Sequence, residues 1–161
     1  MSDHQEWLTS IAHYFETKGK KGGSIILFPG YRPDLSSELA HQLNLEFFDY
    51  REEVMQEFRQ DADAIGLEQL NETLHAKVEK NGIVAHNIEA LLCVKSEAER
   101  RTWIQSFLDA DWDNPIFVPI SIYQADVPEE HQHVCDLELL KMPGRKEPPT
   151  SQASERIKYD V

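Results

Sequence analysis

Residues 24–40 read SIILFPGYRPDLSSELA and contain the first side chains that could do chemistry. An apolar run, a Pro-Gly turn and an amphipathic stretch follow one another, which is the order found where a loop binds phosphate between a strand and a helix. Gly30, Tyr31 and Arg32 lie at the tip of the turn. Arg32 has the charge to contact a phosphate, and Tyr31 with Arg32 also suits recognition of a protein partner. A plain exposed turn explains the same residues.

A second group of polar side chains follows three other apolar runs. Asp49 follows LEFF, His86 and Asn87 follow GIVA with Glu89 shortly after them, and Ser121 follows IFVPI. Carboxylates, an imidazole and a hydroxyl are groups that hold a metal ion or orient a reacting water. Their chemical value depends on whether the fold brings them together.

The spacing of apolar residues predicts alternating strands and helices. Asp34 is expected to cap the second helix, and Ser96 with Glu99 has capping-box spacing. Residues 18–23, rich in Gly and Lys, are expected to form a flexible link. The predicted strands are 24–28, 45–50, 83–88, 116–122 and 134–140, and the predicted helices are 4–17, 35–43, 54–65, 67–78 and one that begins at Ser96 and carries Trp103, Ile104, Phe107 and Leu108 on one face.

This alternation predicts an α/β fold, with a parallel sheet of about five strands between helices on both faces. Residues 1–142 are expected to form a single domain, with helix 4–17 as an N-terminal addition. Residues 143–161, rich in Pro, Ser and charge, are expected to form a tail. Ligands bind such sheets at the carboxyl ends of the strands, so both groups of polar side chains are expected at one crevice.

Composition narrows the classes of function. The chain has 161 residues, 40% of them hydrophobic, and a formal net charge of −13. Such a charge repels phosphate backbones, so we expect no direct nucleic-acid binding. Three explanations of the charge remain: it keeps the protein in solution, it attracts a basic partner, or it imitates nucleic acid. No apolar run reaches the roughly 20 residues that span a bilayer, so no membrane association is expected. An N-terminus without signal features and two cysteines outside any CxxC pattern favour the cytoplasm.

The order of the motifs resembles a P-loop ATPase domain of the AAA-like branch, across residues 24–122. IILFPG followed by LSSELAHQL resembles the Walker A strand, loop and helix. GIVAHNIEALL resembles the Walker B strand, and NPIFVPISIY resembles the next strand, whose end carries a polar sensor residue. The resemblance implies a three-layer P-loop-like fold with the strand order 5-1-4-3-2.

The same resemblance implies that the Walker A chemistry is degenerate. Only Gly30 stands where the family has several loop glycines. In register with the family's first helix, Arg32 falls near the position of the Lys, and Pro33 falls near the Ser/Thr that binds Mg²⁺. Pro33 has no N–H donor and no metal ligand.

The Walker B side departs from the family as well. His86 falls at the position of the Asp that helps to hold Mg²⁺, and neutral imidazole is a poor ligand for this cation. Asn87 stands where a catalytic carboxylate often lies. Glu89, if it continued the strand, would point to the face opposite Ile88. Ser121 can stand in for the sensor residue.

A narrower resemblance is to small single-domain P-loop accessory proteins of bacterial phage-defence operons such as the BREX systems. It implies a non-catalytic accessory or adaptor subunit, with no cofactor expected, that binds a larger ATPase or DNA-processing protein in phage defence or genome maintenance. A divergent nucleotide-binding NTPase that uses ATP and Mg²⁺ and an acidic DNA-mimic inhibitor are the alternatives. The nucleotide-like crevice would contain Gly30, Tyr31, Arg32, Asp49, His86, Asn87, Glu89 and Ser121.

Three other groups have competing explanations. His131, His133 and Cys135 could bind Zn²⁺ from one strand face, but a half-exposed edge strand is preferred, and no metal site is predicted. A Cys-His nucleophile would need Cys93 or Cys135 beside His86. A dense acidic turn is a candidate partner surface; its residues are Asp109, Asp111, Trp112 and Asp113.

Overall fold

The computed structural model of the protein describes residues 22–128, 131 and 133–136, and positions 6, 9 and 10. These three positions are helical and exposed, and the Ser10 hydroxyl donates to the Glu6 carbonyl at 3.2 Å. The rest of the predicted helix 4–17, the predicted strand beyond residue 136 and the predicted tail 143–161 lie outside the described residues.

Strands and helices alternate along the described chain, as the apolar spacing predicts. The strands are β1 (Gly23–Leu27), β2 (Glu46–Asp49), β3 (Ile83–His86), β4 (Ile116–Ile120) and β5 (Val134–Asp136). The helices are α1 (Pro33–Leu43), α2 (Leu67–Val78), α3 (Glu89–Leu92) and α4 (Glu97–Asp109). An irregular segment joins β2 to α2 through a π turn (Arg51–Met55), an α turn (Gln56–Phe58) and a 3-10 segment (Arg59–Ala64), and a 3-10 turn (Gln124–Asp126) follows β4.

The five strands form one parallel sheet in the order β2-β3-β4-β1-β5. Read from the other edge, this is the order 5-1-4-3-2. The α/β prediction is confirmed. Every residue of β1, β3 and β4 is buried, which explains why these strands read as continuous apolar runs instead of alternating patterns.

Helices cover both faces of the sheet and form three layers. On one face, α1 buries Leu35 and Leu39 against Ile26 and Phe117. The other face packs against α2 and α4, whose buried residues include the predicted stripes: Leu70, Leu74, Val78, Trp103, Ile104, Phe107 and Leu108. The Ser96–Glu99 capping box also forms, with both reciprocal hydrogen bonds at 3.1 Å.

Three local predictions are wrong. Asp34 does not cap α1: the N-cap is Arg32, Pro33 takes the first helical position, and Asp34 lies in the first turn. The predicted helix 54–65 is not a regular helix, because Arg59 has a φ of +51° and interrupts it. Gly23 is not part of a flexible link, because it begins β1 and is buried.

Two glycines provide a matched test of packing at β1. A Cβ on Gly23 would lie 2.8 Å from the Phe107 carbonyl oxygen, whereas a Cβ on Gly30 would meet no atom within 4 Å. Gly23→Ala should therefore lower the free energy of unfolding by about 1–3 kcal/mol, because α4 must move. Gly30→Ala should change it by less than about 1 kcal/mol. Urea denaturation measures both, and equal effects would contradict the close approach of α4 to β1.

Candidate functional site

A cleft of about 190 Å³ lies at the carboxyl edge of the sheet, between the loops that follow β1, β3 and β4. This is where ligands bind in open parallel sheets. Asp49 lies beside it at the end of β2, in register with His86. The other predicted crevice residues all line the cleft: Gly30, Tyr31, Arg32, His86, Asn87, Glu89 and Ser121.

Pro119 lines the cleft where the pairing of two central strands stops. β3 pairs with β4 only at Ile83↔Ile116 and Val84↔Phe117, although both strands continue towards the cleft. Pro119 has no N–H to donate to a neighbouring strand. The cleft therefore lies at the strand ends where β3 and β4 are no longer paired with each other.

The loop after β1 does not form a phosphate cradle. Among the described residues, positive φ occurs at Gly22, Asn44, Arg59 and Asn87, so the residues between Leu27 and Pro33 lack the left-handed turn of an anion-binding nest. At the start of α1, the N–H groups of Leu35 and Ser36 both donate to the Arg32 carbonyl oxygen, at 3.1 and 3.2 Å.

Arg32 is paired with a side chain in the first turn of α1. Its Nε and Nη2 donate to the two Asp34 carboxylate oxygens at 2.9 and 2.7 Å. The hydrogen bond raises the pKa of Arg32 and lowers that of Asp34. The one cation predicted to contact a phosphate is therefore bound to a carboxylate of the same chain.

His86 lies between two aromatic rings at the end of β3. Its Nε2 is 3.2 Å from the Tyr31 hydroxyl, and its ring centroid is 5.3 Å from that of Phe47. Burial lowers the pKa of His86, against the opposing attraction of the Asp49 and Glu52 carboxylates. The buried imidazole thus favours its neutral form.

Asn87 follows the last residue of β3 and contacts β2. Its φ of 65° turns the chain out of the strand, and its Nδ2 donates to the Asp49 Oδ1 at 3.0 Å. The same Asp49 oxygen accepts the N–H of Glu52 at 3.2 Å. Asp49 is therefore engaged in holding the turn after β2.

Glu89 does not continue the strand, so the expected strand-face orientation is wrong. β3 ends at His86, and Glu89 begins α3. Its Oε1 accepts the N–H and the hydroxyl of Ser121 at 2.8 and 3.2 Å. Its Oε2 accepts the N–H groups of Ile122 and Tyr123 at 2.9 and 2.8 Å. Three consecutive backbone donors after β4 thus surround an internal carboxylate, and Ser121, the proposed sensor, is one of them.

The loop after β4 is also held from its far end. Asp126, whose side chain is 5% exposed, pairs with Arg100 at 2.7 Å and Arg101 at 3.1 Å on α4. The hydrogen bond from Arg100 lowers the pKa of Asp126. The Arg100 guanidinium also lies over the Tyr123 ring, 4.2 Å from its centroid. Both ends of the loop are therefore fixed to helices.

The acidic turn lies at the opposite edge of the sheet. Trp112 is buried there, donates to the Phe107 carbonyl at 3.0 Å and stacks on His75, so its proposed place in a partner surface is wrong. Asp111 and Asp113 are exposed. Asp109 accepts a hydrogen bond from Gln105 at 2.8 Å.

The histidines beside this turn do not assemble into the zinc set. A cavity of about 490 Å³ contains Asp109, Asp111, His131 and His133. Cys135 lies apart from them, buried in the core beneath α1. In the described part of the chain, no three His, Cys, Asp or Glu side chains are placed to share a metal ion.

Sequence reasoning missed the apolar lining of the cleft. Phe28, Ala90, Pro119 and Ile122 all line it. Pro119 was detectable, because proline inside a buried strand marks an interruption of the ladder. No pattern in the sequence indicates that Ile122 is exposed at the cleft, because its position depends on the hydrogen bond from its backbone N–H to Glu89.

No protein-family model and no curated protein matches this chain. None of the helices in the described ranges has the length and apolarity needed to cross a membrane. Inference about function therefore depends on the geometry of the cleft.

Glu89→Gln tests the role of the internal carboxylate. An amide offers one acceptor oxygen and places an NH₂ group against backbone donors, so the free energy of unfolding should fall by about 1–3 kcal/mol. Glu57→Gln, at an exposed position, is the matched control and should be nearly neutral. Chemical denaturation measures both. Equal stability of the two variants would contradict a structural role for Glu89.

His86 should make stability depend on pH. Its folded pKa is lowered, while the unfolded side chain titrates near 6.5. As the pH falls below about 6.5, the unfolded chain takes up a proton that the folded protein does not, so the free energy of unfolding should decrease. His86→Gln should remove the contribution of His86 to the decrease in the free energy of unfolding between pH 7.5 and pH 5.

The exposed His41 provides the control for this pH series. His41→Gln retains His86 and should therefore keep its contribution to the loss of stability. Unfolding free energies from urea titrations at each pH give the slopes. An unchanged slope in His86→Gln would show that the imidazole is not the responsible group.

Proposed function

We propose that this protein is a non-catalytic accessory subunit that binds a larger protein and does not turn over nucleotide. The observation that carries the proposal is that the backbone N–H groups after β4, which could bind an anion, are already occupied by the Glu89 carboxylate of the same chain. Arg32 is bound by Asp34, and Glu89 is surrounded by donors of the loop after β4.

The size and donors of the cleft argue against a nucleotide. Sites for small molecules and cofactors usually enclose about 300–1,000 Å³, and this cleft encloses about 190 Å³. The backbone donors at its rim that are best placed for an anion, on Ser121 and its two successors, already serve Glu89. A phosphate would have to displace a covalently tethered carboxylate.

The residues at the Walker B position are poorly suited to Mg²⁺. A neutral imidazole lacks the oxygen donors this cation prefers, Asn87 donates its amide to Asp49, and both oxygens of Glu89 accept hydrogen bonds. Their hydrogen bonds hold strand ends and loops in place. This supports a structural role for positions that in an ATPase would be catalytic.

Exposed apolar side chains at the cleft support a role in binding. Tyr31 and Ile122 line it and are 62% and 72% exposed. Large apolar side chains clustered at a concave surface favour association with another protein. The resemblance to phage-defence accessory proteins suggests an ATPase or a DNA-processing enzyme as the partner.

Nucleotide binding separates this proposal from a divergent NTPase. Ligands that bind only the folded state raise its stability, by about 2.7 kcal/mol at 100 times Kd. We expect no specific shift of the thermal unfolding midpoint with millimolar Mg²⁺-ATP, ADP or GTP. A shift that disappears in Arg32→Ala but persists in Arg51→Ala, an exposed arginine outside the cleft lining, would overturn the proposal and favour the NTPase.

A further inference from the structure

The cleft has room for a group of about the size of one aromatic ring. Its volume of about 190 Å³ is near the 150 Å³ or so of an engineered apolar cavity that binds benzene. Phe28, Ala90 and Pro119 contribute apolar surface, and the exposed Tyr31 and Ile122 stand at its rim. An inserted ring would gain contacts with an aromatic and an aliphatic side chain at once.

The rim is held in shape before any partner binds. The Tyr31 hydroxyl lies 3.2 Å from the His86 Nε2. The Ile122 backbone is anchored to Glu89, and its neighbour Tyr123 is covered by the Arg100 guanidinium. Because the side chains of the rim are already ordered, less conformational entropy is lost when a partner binds. These contacts suit a receptor site for a single side chain.

The charge around the cleft favours one kind of partner segment to present this side chain. Asp49 lies beside His86 in the register of β2 with β3, the N–H of Glu52 donates to the Asp49 carboxylate, and the chain as a whole has a formal net charge of −13. Arg32, the cation of the lining, is paired with Asp34. A basic segment would therefore be attracted, and an acidic one repelled.

We propose that the cleft receives one aromatic side chain presented by a basic segment of a partner protein. This inference rests on the proposed accessory function and names the chemistry of its partner. The aromatic ring enters between Tyr31 and Ile122, and flanking Lys or Arg side chains face the carboxylates outside the cleft.

Three synthetic peptides test the ring and the charge separately. They are capped Lys-Lys-Trp-Lys-Lys, Lys-Lys-Ala-Lys-Lys and Glu-Glu-Trp-Glu-Glu, titrated into the full chain with amide NMR shifts as the readout. We expect the first peptide to bind about tenfold more tightly than either of the others, with the largest shifts at Tyr31, Ile122 and Tyr123. Raising the salt concentration should weaken its binding.

Variants of the rim test the location. Ile122→Ser and Tyr31→Ser change exposed side chains, so both should fold, and each should weaken binding of the Trp peptide by about fivefold or more. Phe58→Ser is the matched control, because Phe58 is 41% exposed and does not line the cleft. Its affinity for the Trp peptide should equal that of the wild type.

Each outcome has a distinct meaning. Equal binding of the Trp and Ala peptides would show attraction by charge alone and overturn the inference, as would unchanged binding in both rim variants. Absence of binding at millimolar peptide would overturn it as well, while leaving the accessory function intact if nucleotides also fail to bind. A nucleotide-specific stability shift that depends on Arg32 would instead overturn the proposed function itself.

Discussion

The parallel arrangement of all five strands is the constraint on which the candidate site depends. It brings every strand end with its following loop to one edge of the sheet, so residues far apart in the chain, such as Tyr31, His86 and Ser121, meet there. The central strands are buried on both faces, so their polar ends must find partners locally. The cleft lies where the pairing of β3 with β4 stops and where Pro119 offers no donor.

Glu89 determines the chemical character of this edge. Consecutive backbone N–H groups form concavities that attract anions, and in this protein the anion is a side chain of the same chain. The Glu89 carboxylate thereby accepts the backbone N–H groups at the start of the loop after β4 and holds Ile122 at the rim of the cleft. The same N–H groups are then no longer available to a phosphate. The carboxyl edge of this α/β sheet thus carries a partly apolar cleft and an internal carboxylate, which illustrates why function must be argued from the site and not from the fold.

Long apolar patterns were predicted well, whereas local turns were not. The α/β class, the buried stripes of α2 and α4 and the Ser96–Glu99 box follow from spacing alone. The prediction that Asp34 caps α1 is wrong, because Pro33 occupies the first helical position and Arg32 is therefore the N-cap. Trp112 lies in an acidic turn, but the adjacent core and the His75 ring bury it. In each of these two cases a neighbouring group outweighed the local preference.

Apolar spacing along the chain is enough to predict the alternation of strands and helices, and with it the edge at which the polar residues gather, because strands that read as continuous apolar runs are buried on both faces by helices. The hydrogen-bond partners of those residues, in contrast, depend on the packing of the folded chain. Arg32 turns to Asp34, Asn87 to Asp49, and Glu89 to the loop after β4. These choices depend on distances between strand ends, and residue identities alone carry no information about which donor and acceptor the packing brings within hydrogen-bonding reach.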